Sequence, residues 1–284
     1  MNNSFLVTKA SGEKSPFSEE KVRKSLRKSG ADDEQIELII QEIRNRLYEG
    51  MSTRAIYKIA YSLLKSGSRH HAARYHLKYA IMELGPSGFP FEKFIAELLK
   101  KEGYKTKTGQ ILQGKCVTHE IDIIAEKEQH QLLVECKYHN QQGISCNVKI
   151  PLYIHARFND IEAHALKKNE DTLKQRQGWI VTNTRFTADA IQYAGCSGLR
   201  LLGWDHPFGK GLKDRIDHQR IYPITCLTSL TGIEKQKLLE LEIVLCSELL
   251  QRTDLLKSIG IKTIRTATIL NEASQLCHHV IADH

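Results

Sequence analysis

The chain has 284 residues, enough for two or three domains with cores of their own, and 41 basic against 33 acidic residues leave it a net charge of +8. With a sequence pI near 9.0, that excess favours a polyanionic partner such as DNA. Seven cysteines stand singly, without a C-x-x-C pair or Cys/His ligand spacing, which argues against structural zinc and suits a reducing cytosol. No signal peptide or membrane-length apolar run is present, so the expectation is a soluble cytoplasmic protein with no membrane partner.

In chain order, Phe5-Leu6-Val7-Thr8-Lys9 reads as a short strand and Ser11-Gly12 as the turn after it. Phe17-Ser18-Glu19-Glu20-Lys21-Val22 opens a helix, with Ser18 as N-cap and two acids suited to the first turn. Amphipathic spacing predicts further helices over 32–49, 52–66 (capped by Ser52 or Thr53) and 72–84. The basic runs at Lys21-Val22-Arg23-Lys24 and Arg27-Lys28 are read as a solvated helix face, and His70-His71 and His278-His279 as surface residues.

The next helix is 89–103, with Phe91, Phe94, Ile95, Leu98 and Leu99 on one stripe and Gly103 as its stop. Two apolar strand candidates follow, 119–125 and 132–138, joined by the polar break Glu126 to Gln131. Alternate residues of a strand share a face, so Glu135 and Lys137 point one way and Val134, Cys136 and Tyr138 the other; Asp122 shares its face with Glu120. Pairing the two strands can gather two carboxylates and an ammonium. Such a trio can hold a hard cation through oxygen and set a lysine beside its water, which suits phosphodiester hydrolysis. By itself the pattern reads sooner as a cross-strand ion pair on a wet face. What decides is the order around it: a helix over 151–168, a strand over 179–183, a short helix over 187–194 and a strand over 199–204, a mixed α/β layout with the acids on its central strands.

This middle part, about 85–205, resembles the PD-(D/E)XK restriction-endonuclease-like fold with its αβββαβ core, and specifically the Mrr-type catalytic domain. The resemblance is carried by Gly88-Phe89-Pro90-Phe91-Glu92, Glu120-Ile121-Asp122, Glu135-Cys136-Lys137, Val181-Thr182-Asn183 and Phe186-Thr187. It implies that Asp122 and Glu135 bind Mg²⁺, that Lys137 positions or activates the attacking water, and that Glu92 is an accessory carboxylate from the first helix. Many Mrr-type domains have Gln where this chain has Glu135. The front of the chain, about 1–84, is similar to the ATP-cone, a small, mainly helical nucleotide-sensing module, through Val7-Thr8-Lys9, Gly12, Phe17, Lys21-Val22, Thr53 and Ile56-Tyr57. That likeness implies ATP or dATP bound as an effector along Val7 and Lys9, with Lys21 on phosphate and Thr53 and Tyr57 completing the site. Ala10 and Ser11 depart from the family's usual Arg-Asp. No Gly-x-x-x-x-Gly-Lys-Ser/Thr loop or Gly-x-Gly-x-x-Gly turn offers a competing phosphate site.

Residues 206–222 read as a polar linker and 223–284 as a helical region, with helices over 233–241, 246–251, 254–259 and 261–276. Leu230-Thr231-Gly232-Ile233 and Ser258-Ile259-Gly260-Ile261 resemble helix-hairpin-helix turns; a small bundle with Leu238, Leu239, Leu241, Leu249 and Leu250 as its core is the other reading. The expected whole is a Mg²⁺-dependent DNA endonuclease, restriction- or defence-like by analogy and regulated by an adenine nucleotide on the cone. A Holliday-junction-type resolvase and a non-catalytic nucleotide-responsive DNA-binding regulator are the alternatives, with a scaffold that binds no nucleic acid as a third. Both resembled families commonly self-associate, which adds a homo-oligomer to the expected partners.

Overall fold

The computed structural model describes residues 5–168 and 175–277; His278 and His279, expected at the surface, lie outside the described residues. Two compact units emerge, one of residues 1–81 with 222–284 and one of residues 82–221.

In the first unit, β1 (Leu6–Thr8) and β2 (Lys14–Pro16) form an antiparallel hairpin with Val7 opposite Ser15. Its turn closes at Gly12, whose φ of 83° is left-handed backbone that glycine adopts without strain. The helices α1 (Glu19–Ser29), α2 (Asp33–Arg46) and α3 (Thr53–Gly67) start where the sequence places caps: Ser18, Asp32 and Ser52 each accept a backbone N–H from the first turn. Ser52, not Thr53, caps α3. Leu26, Ile36, Ile39, Ile40, Ile43, Ile56 and Leu64 form the shared core, each contributing about 1.5–3 kcal/mol of burial. α4 spans Arg69–Met82 and starts earlier than the apolar spacing suggests. His70 and His71 therefore lie on α4 and are half-buried, correcting their reading as surface residues. Desolvation pushes His71 down to about 4.

The second unit runs α5 (Phe89–Lys101), β3 (Lys105–Gln113), β4 (Thr118–Lys127), β5 (His130–Lys137), β6 (Ser145–Cys146), α6 (Lys149–Lys168), β7 (Gln175–Thr182), β8 (Arg185–Phe186), α7 (Ala188–Cys196), β9 (Arg200–Leu202) and α8 (Leu212–Gln219). Among the described residues β3-β4-β5-β7-β9 make a five-stranded mixed sheet. The first three strands pair antiparallel, and β5-β7 and β7-β9 pair parallel. β4 and β5 extend further than their apolar runs, and the turn between them tightens onto Glu128, at φ 54°. β3 carries no run of apolar residues. It lies at the sheet edge, where lysines and mostly exposed side chains discourage pairing with another chain. The stretch 206–222 is not a plain linker, because it contains α8. Leu212 and Ile216 of α8 are fully buried, and Arg215 holds both Glu102 oxygens at 2.8 and 2.9 Å. Two apolar positions in a polar run are too few to mark a helix by period.

The first unit resumes with a 3-10 turn at Ile224–Cys226, then α9 (Gly232–Glu240), α10 (Cys246–Gln251), α11 (Asp254–Ser258) and α12 (Thr263–Cys277). Leu238, Leu239 and Leu249 are buried, whereas Leu250 is half-buried and Leu241, the residue that ends α9, is exposed rather than core. The two glycine-bearing segments differ in role. Thr231 and Glu234 form a capping box with Gly232 already in the helix, while Gly260, at φ 92°, turns the chain between α11 and α12. No helix among the described residues is long and apolar enough to cross a membrane.

Candidate active site

The β4-β5 ladder ends at Ile123 opposite Val134. Just beyond it the Cys136 N–H bonds the Asp122 side chain instead of a ladder partner, and Asp122 comes close enough to Glu135 to feel its charge. Ile124 and Leu133, a pair further inside the ladder, belong to the core with Ile154, Phe158 and Ile161 of α6. Exposure rises along the strand from buried Ile124 through half-buried Asp122 to exposed Glu120. Of the two strand acids Asp122 is thus half-buried, while Glu135 is buried beside α6. On the opposite face Val134 and Cys136 are buried, and Tyr138 packs on Phe91 at 5.6 Å and donates its hydroxyl to the Met82 carbonyl.

Three contacts set the geometry. The backbone N–H of Cys136 donates to Asp122 Oδ2 at 2.6 Å and fixes that carboxylate across the strand gap. Lys137 Nζ donates to Glu135 Oε1 at 2.6 Å, as side chains two apart on a strand can. Arg157 Nη1, from α6, donates to Glu135 Oε2 at 2.5 Å and to the Glu120 carbonyl at 3.2 Å. Glu135 is only 3 % exposed, so two cations compensate a nearly sealed charge. Burial and then the Glu135 charge push Asp122 up to about 6, against the pull of the Cys136 N–H. Glu92, in the first turn of α5, goes up to about 7 through burial and the charges of Asp122, Glu120 and Glu135. Its couplings bring it into the same electrostatic cluster as the strand acids. Glu120 presents its main-chain carbonyl to Arg157 and leaves its side chain in solvent.

Sequence reasoning missed Arg157, whose neighbour in the site lies 22 residues away. Thr182 and Asn183, named only as part of the Mrr-type resemblance, belong with Thr184 and His139 to a polar set behind Lys137. Thr182 donates to the Lys137 carbonyl at 2.7 Å, Asn183 exchanges hydrogen bonds with the His139 backbone at 2.7 and 2.9 Å, and the Thr184 hydroxyl meets His139 Nδ1 at 3.0 Å. Thr182, Asn183 and Thr184 are all buried. Three consecutive polar residues following a run of buried strand positions were the available signal, since polar groups are buried where they have partners. They hold the β5 terminus that presents Lys137.

Among the described residues no three His, Cys, Asp or Glu side chains form a ready metal cage. Mg²⁺ does not require one, because it usually takes one or two carboxylates and keeps water or substrate phosphate in the remaining positions. Asp122 and Glu135 fit that demand: both are hard oxygen donors, and their mutual repulsion, visible in the raised Asp122 value, is what a cation between them would relieve.

In the first unit, Val7, Lys9, Lys21, Thr53 and Tyr57, drawn from β1, α1, α3 and the residue after β1, all line one cleft of about 240 Å³. Phe17, Ile56 and Tyr75 give it apolar walls. Tyr57 stacks on Tyr75 with ring centroids 5.3 Å apart and planes at 4°, and on Tyr79 at 4.2 Å. Lys9 pairs with Glu13 at 3.0 Å at the surface, a contact weak enough to yield to a better anion.

Three family matches tile the chain: the ATP cone domain over 5–82, the restriction endonuclease catalytic domain of Mrr type over 85–206, and the AF1548-like C-terminal domain over 222–277. An uncharacterized protein of Archaeoglobus fulgidus is 35% identical over 186 residues, spanning 64% of this chain and 99% of that protein. The crystal structure of the protein of unknown function AF1548 superposes with a TM-score of 0.55 at 32% identity, over 67% of this chain and 98% of that one.

Proposed function

The chain belongs to the AF1548-like family, here with an ATP-cone domain ahead of an Mrr-type restriction-endonuclease-like domain, and from that premise we propose a Mg²⁺-dependent DNA endonuclease governed by an adenine nucleotide. The observation that carries this reading is the clustering of Asp122, Glu135 and Lys137: the Cys136 N–H fixes Asp122, Lys137 is bonded to Glu135, and Asp122 feels the Glu135 charge.

Asp122 and Glu135 would hold the ion, which when bound supplies a Lewis acid and a water of lowered pKa. Asp122 is aimed by the Cys136 N–H and so presents its other oxygen without reorganisation. Lys137, half-exposed and tethered to Glu135, can reach out to orient a water and offset charge on a phosphate oxygen. Glu92, pushed up to about 7 by burial and the neighbouring acids, would be able to take up a proton at neutral pH. Basic excess draws the polyanion and makes its binding salt-dependent. In the cone cleft, Lys9 and Lys21 suit phosphates and the Tyr57 face suits a purine. No Walker-type loop is present in the sequence, so the nucleotide acts as an effector, with a coupling of about 1–3 kcal/mol.

The test incubates the full chain with methylated and unmethylated plasmid and with four-way junctions, plus Mg²⁺, with and without ATP or dATP, and with Asp122→Ala as control. Nicking or linearisation that the variant lacks and that nucleotide modulates supports the proposal. DNA retained at low salt without cleavage in any arm points to a binding regulator instead, and preference for junctions over duplex points to a resolvase.

A further inference from the structure

Glu135 carries a cation on each oxygen, and the two have different origins. Lys137 lies two residues along the same strand and is placed by the pleat. Arg157 comes from α6 and reaches Oε2 through a single nitrogen, Nη1, which it shares with the Glu120 carbonyl. One-cornered contact is easier to displace than a bidentate fork. The guanidinium also lies 4.8 Å from the ring centroid of Tyr153, one helical turn earlier and 50 % exposed. The ring face holds the guanidinium while it bonds Glu135 and leaves it a partner if that bond is lost.

Building on the nuclease reading, we propose that Arg157 stands in for the divalent cation at Glu135 Oε2 and moves onto a substrate phosphate when that cation binds. A nearly sealed carboxylate needs a counter-charge whenever the ion is absent. Once the ion is present, a guanidinium at the same oxygen is surplus and repelled, and the closest new anion is the diester. Arg157 is thus a positioning residue: it keeps Glu135 aimed, competes with metal entry, and couples metal occupancy to the hold on DNA.

The probe is Mn²⁺ titrated into the full chain without DNA, followed by calorimetry or electron paramagnetic resonance. In R157M the competitor is gone, so the Kd for Mn²⁺ falls at least threefold even as the protein loses thermal stability. With Ca²⁺ in place of Mg²⁺, the slope of log affinity for DNA against log salt drops by about one, the signature of one phosphate contact. A merely structural arginine would lower stability without tightening metal binding or altering that slope. Should R157M not fold, R157K carries the test: a shorter reach frees Oε2, so Mn²⁺ binds tighter while the salt slope keeps its wild-type value. An unchanged or weaker Mn²⁺ affinity in the folded variant overturns the proposal. Failure of the wild-type chain to bind Mn²⁺ at all removes the nuclease reading with it, whereas normal wild-type binding unaffected by R157M removes only the role of Arg157.

Discussion

Asp122→Asn is expected to stabilise the metal-free protein while abolishing cleavage. Burial and the nearby Glu135 charge raise the Asp122 carboxyl from 3.8 to about 6, and at about 1.4 kcal/mol per unit that is a ceiling of roughly 3 kcal/mol. Asp122 is half-buried, so solvent screening reduces the figure to about 1–2 kcal/mol. The folded state holds this proton more tightly than the unfolded one, so wild-type stability falls as pH rises from about 4 to about 6, and the full cost persists above. Asparagine keeps an oxygen to accept the Cys136 N–H and removes the charge. In EDTA at pH 8 the variant should therefore melt about 2–6 °C higher, with the gain shrinking towards zero as pH falls to 4. Adding Mg²⁺ should reverse the order, because a ligand of the folded state stabilises by RT ln(1 + [L]/Kd), about 2.7 kcal/mol at a hundredfold excess over Kd, and the variant lacks one of the two ligands. Thermal unfolding followed by circular dichroism across pH, with EDTA and with Mg²⁺, checks all three points. A variant no more stable at pH 8 in EDTA, or an equal gain at both ends of the pH range, would refute the account of the site as a strained pair of acids.

Other outcomes follow from the same contacts. Glu135→Ala strands Lys137 and Arg157 and should destabilise by on the order of 2–4 kcal/mol in urea unfolding, the opposite sign to Asp122→Asn although both are site acids. Cleavage should rise with pH as the acids ionise. With Glu92 pushed up to about 7, the Glu92→Gln rate profile should move its rising limb to lower pH; an unmoved limb would show that Glu92 takes no proton in the reaction. In the cone, Tyr57→Ala and Lys21→Ala should each weaken ATP or dATP binding by tenfold or more in calorimetry, since one removes a stacking face and the other a phosphate partner. Unaltered affinity in both would move the nucleotide elsewhere.

Much of the fold was legible because its signals are local. Ser18 and Ser52 announce helix starts by satisfying amides within three residues, and the alternation through 132–138 announces a strand whose pleat already pairs Glu135 with Lys137. β3 was not legible as a strand, because an edge exposed to water has no reason to be apolar. α8 was not legible because two buried leucine-type positions do not make a period.

By itself, the sequence determined which residues share a face, where helices begin, and that the acidic spacing belongs to two consecutive strands, since each depends on backbone periods of two or 3.6 residues. Tertiary structure alone decided that Asp122 comes close enough to Glu135 to feel its charge, that Arg157 joins Lys137 in compensating that carboxylate, and that residues 222–284 join 1–81 in one compact unit, tied by contacts such as Thr225 Oγ1 to the Ala80 carbonyl at 2.7 Å. Those pairings span from 13 residues to well over a hundred in the chain, and no local period encodes them; they are selected by which buried charges and polar groups find partners when the core closes.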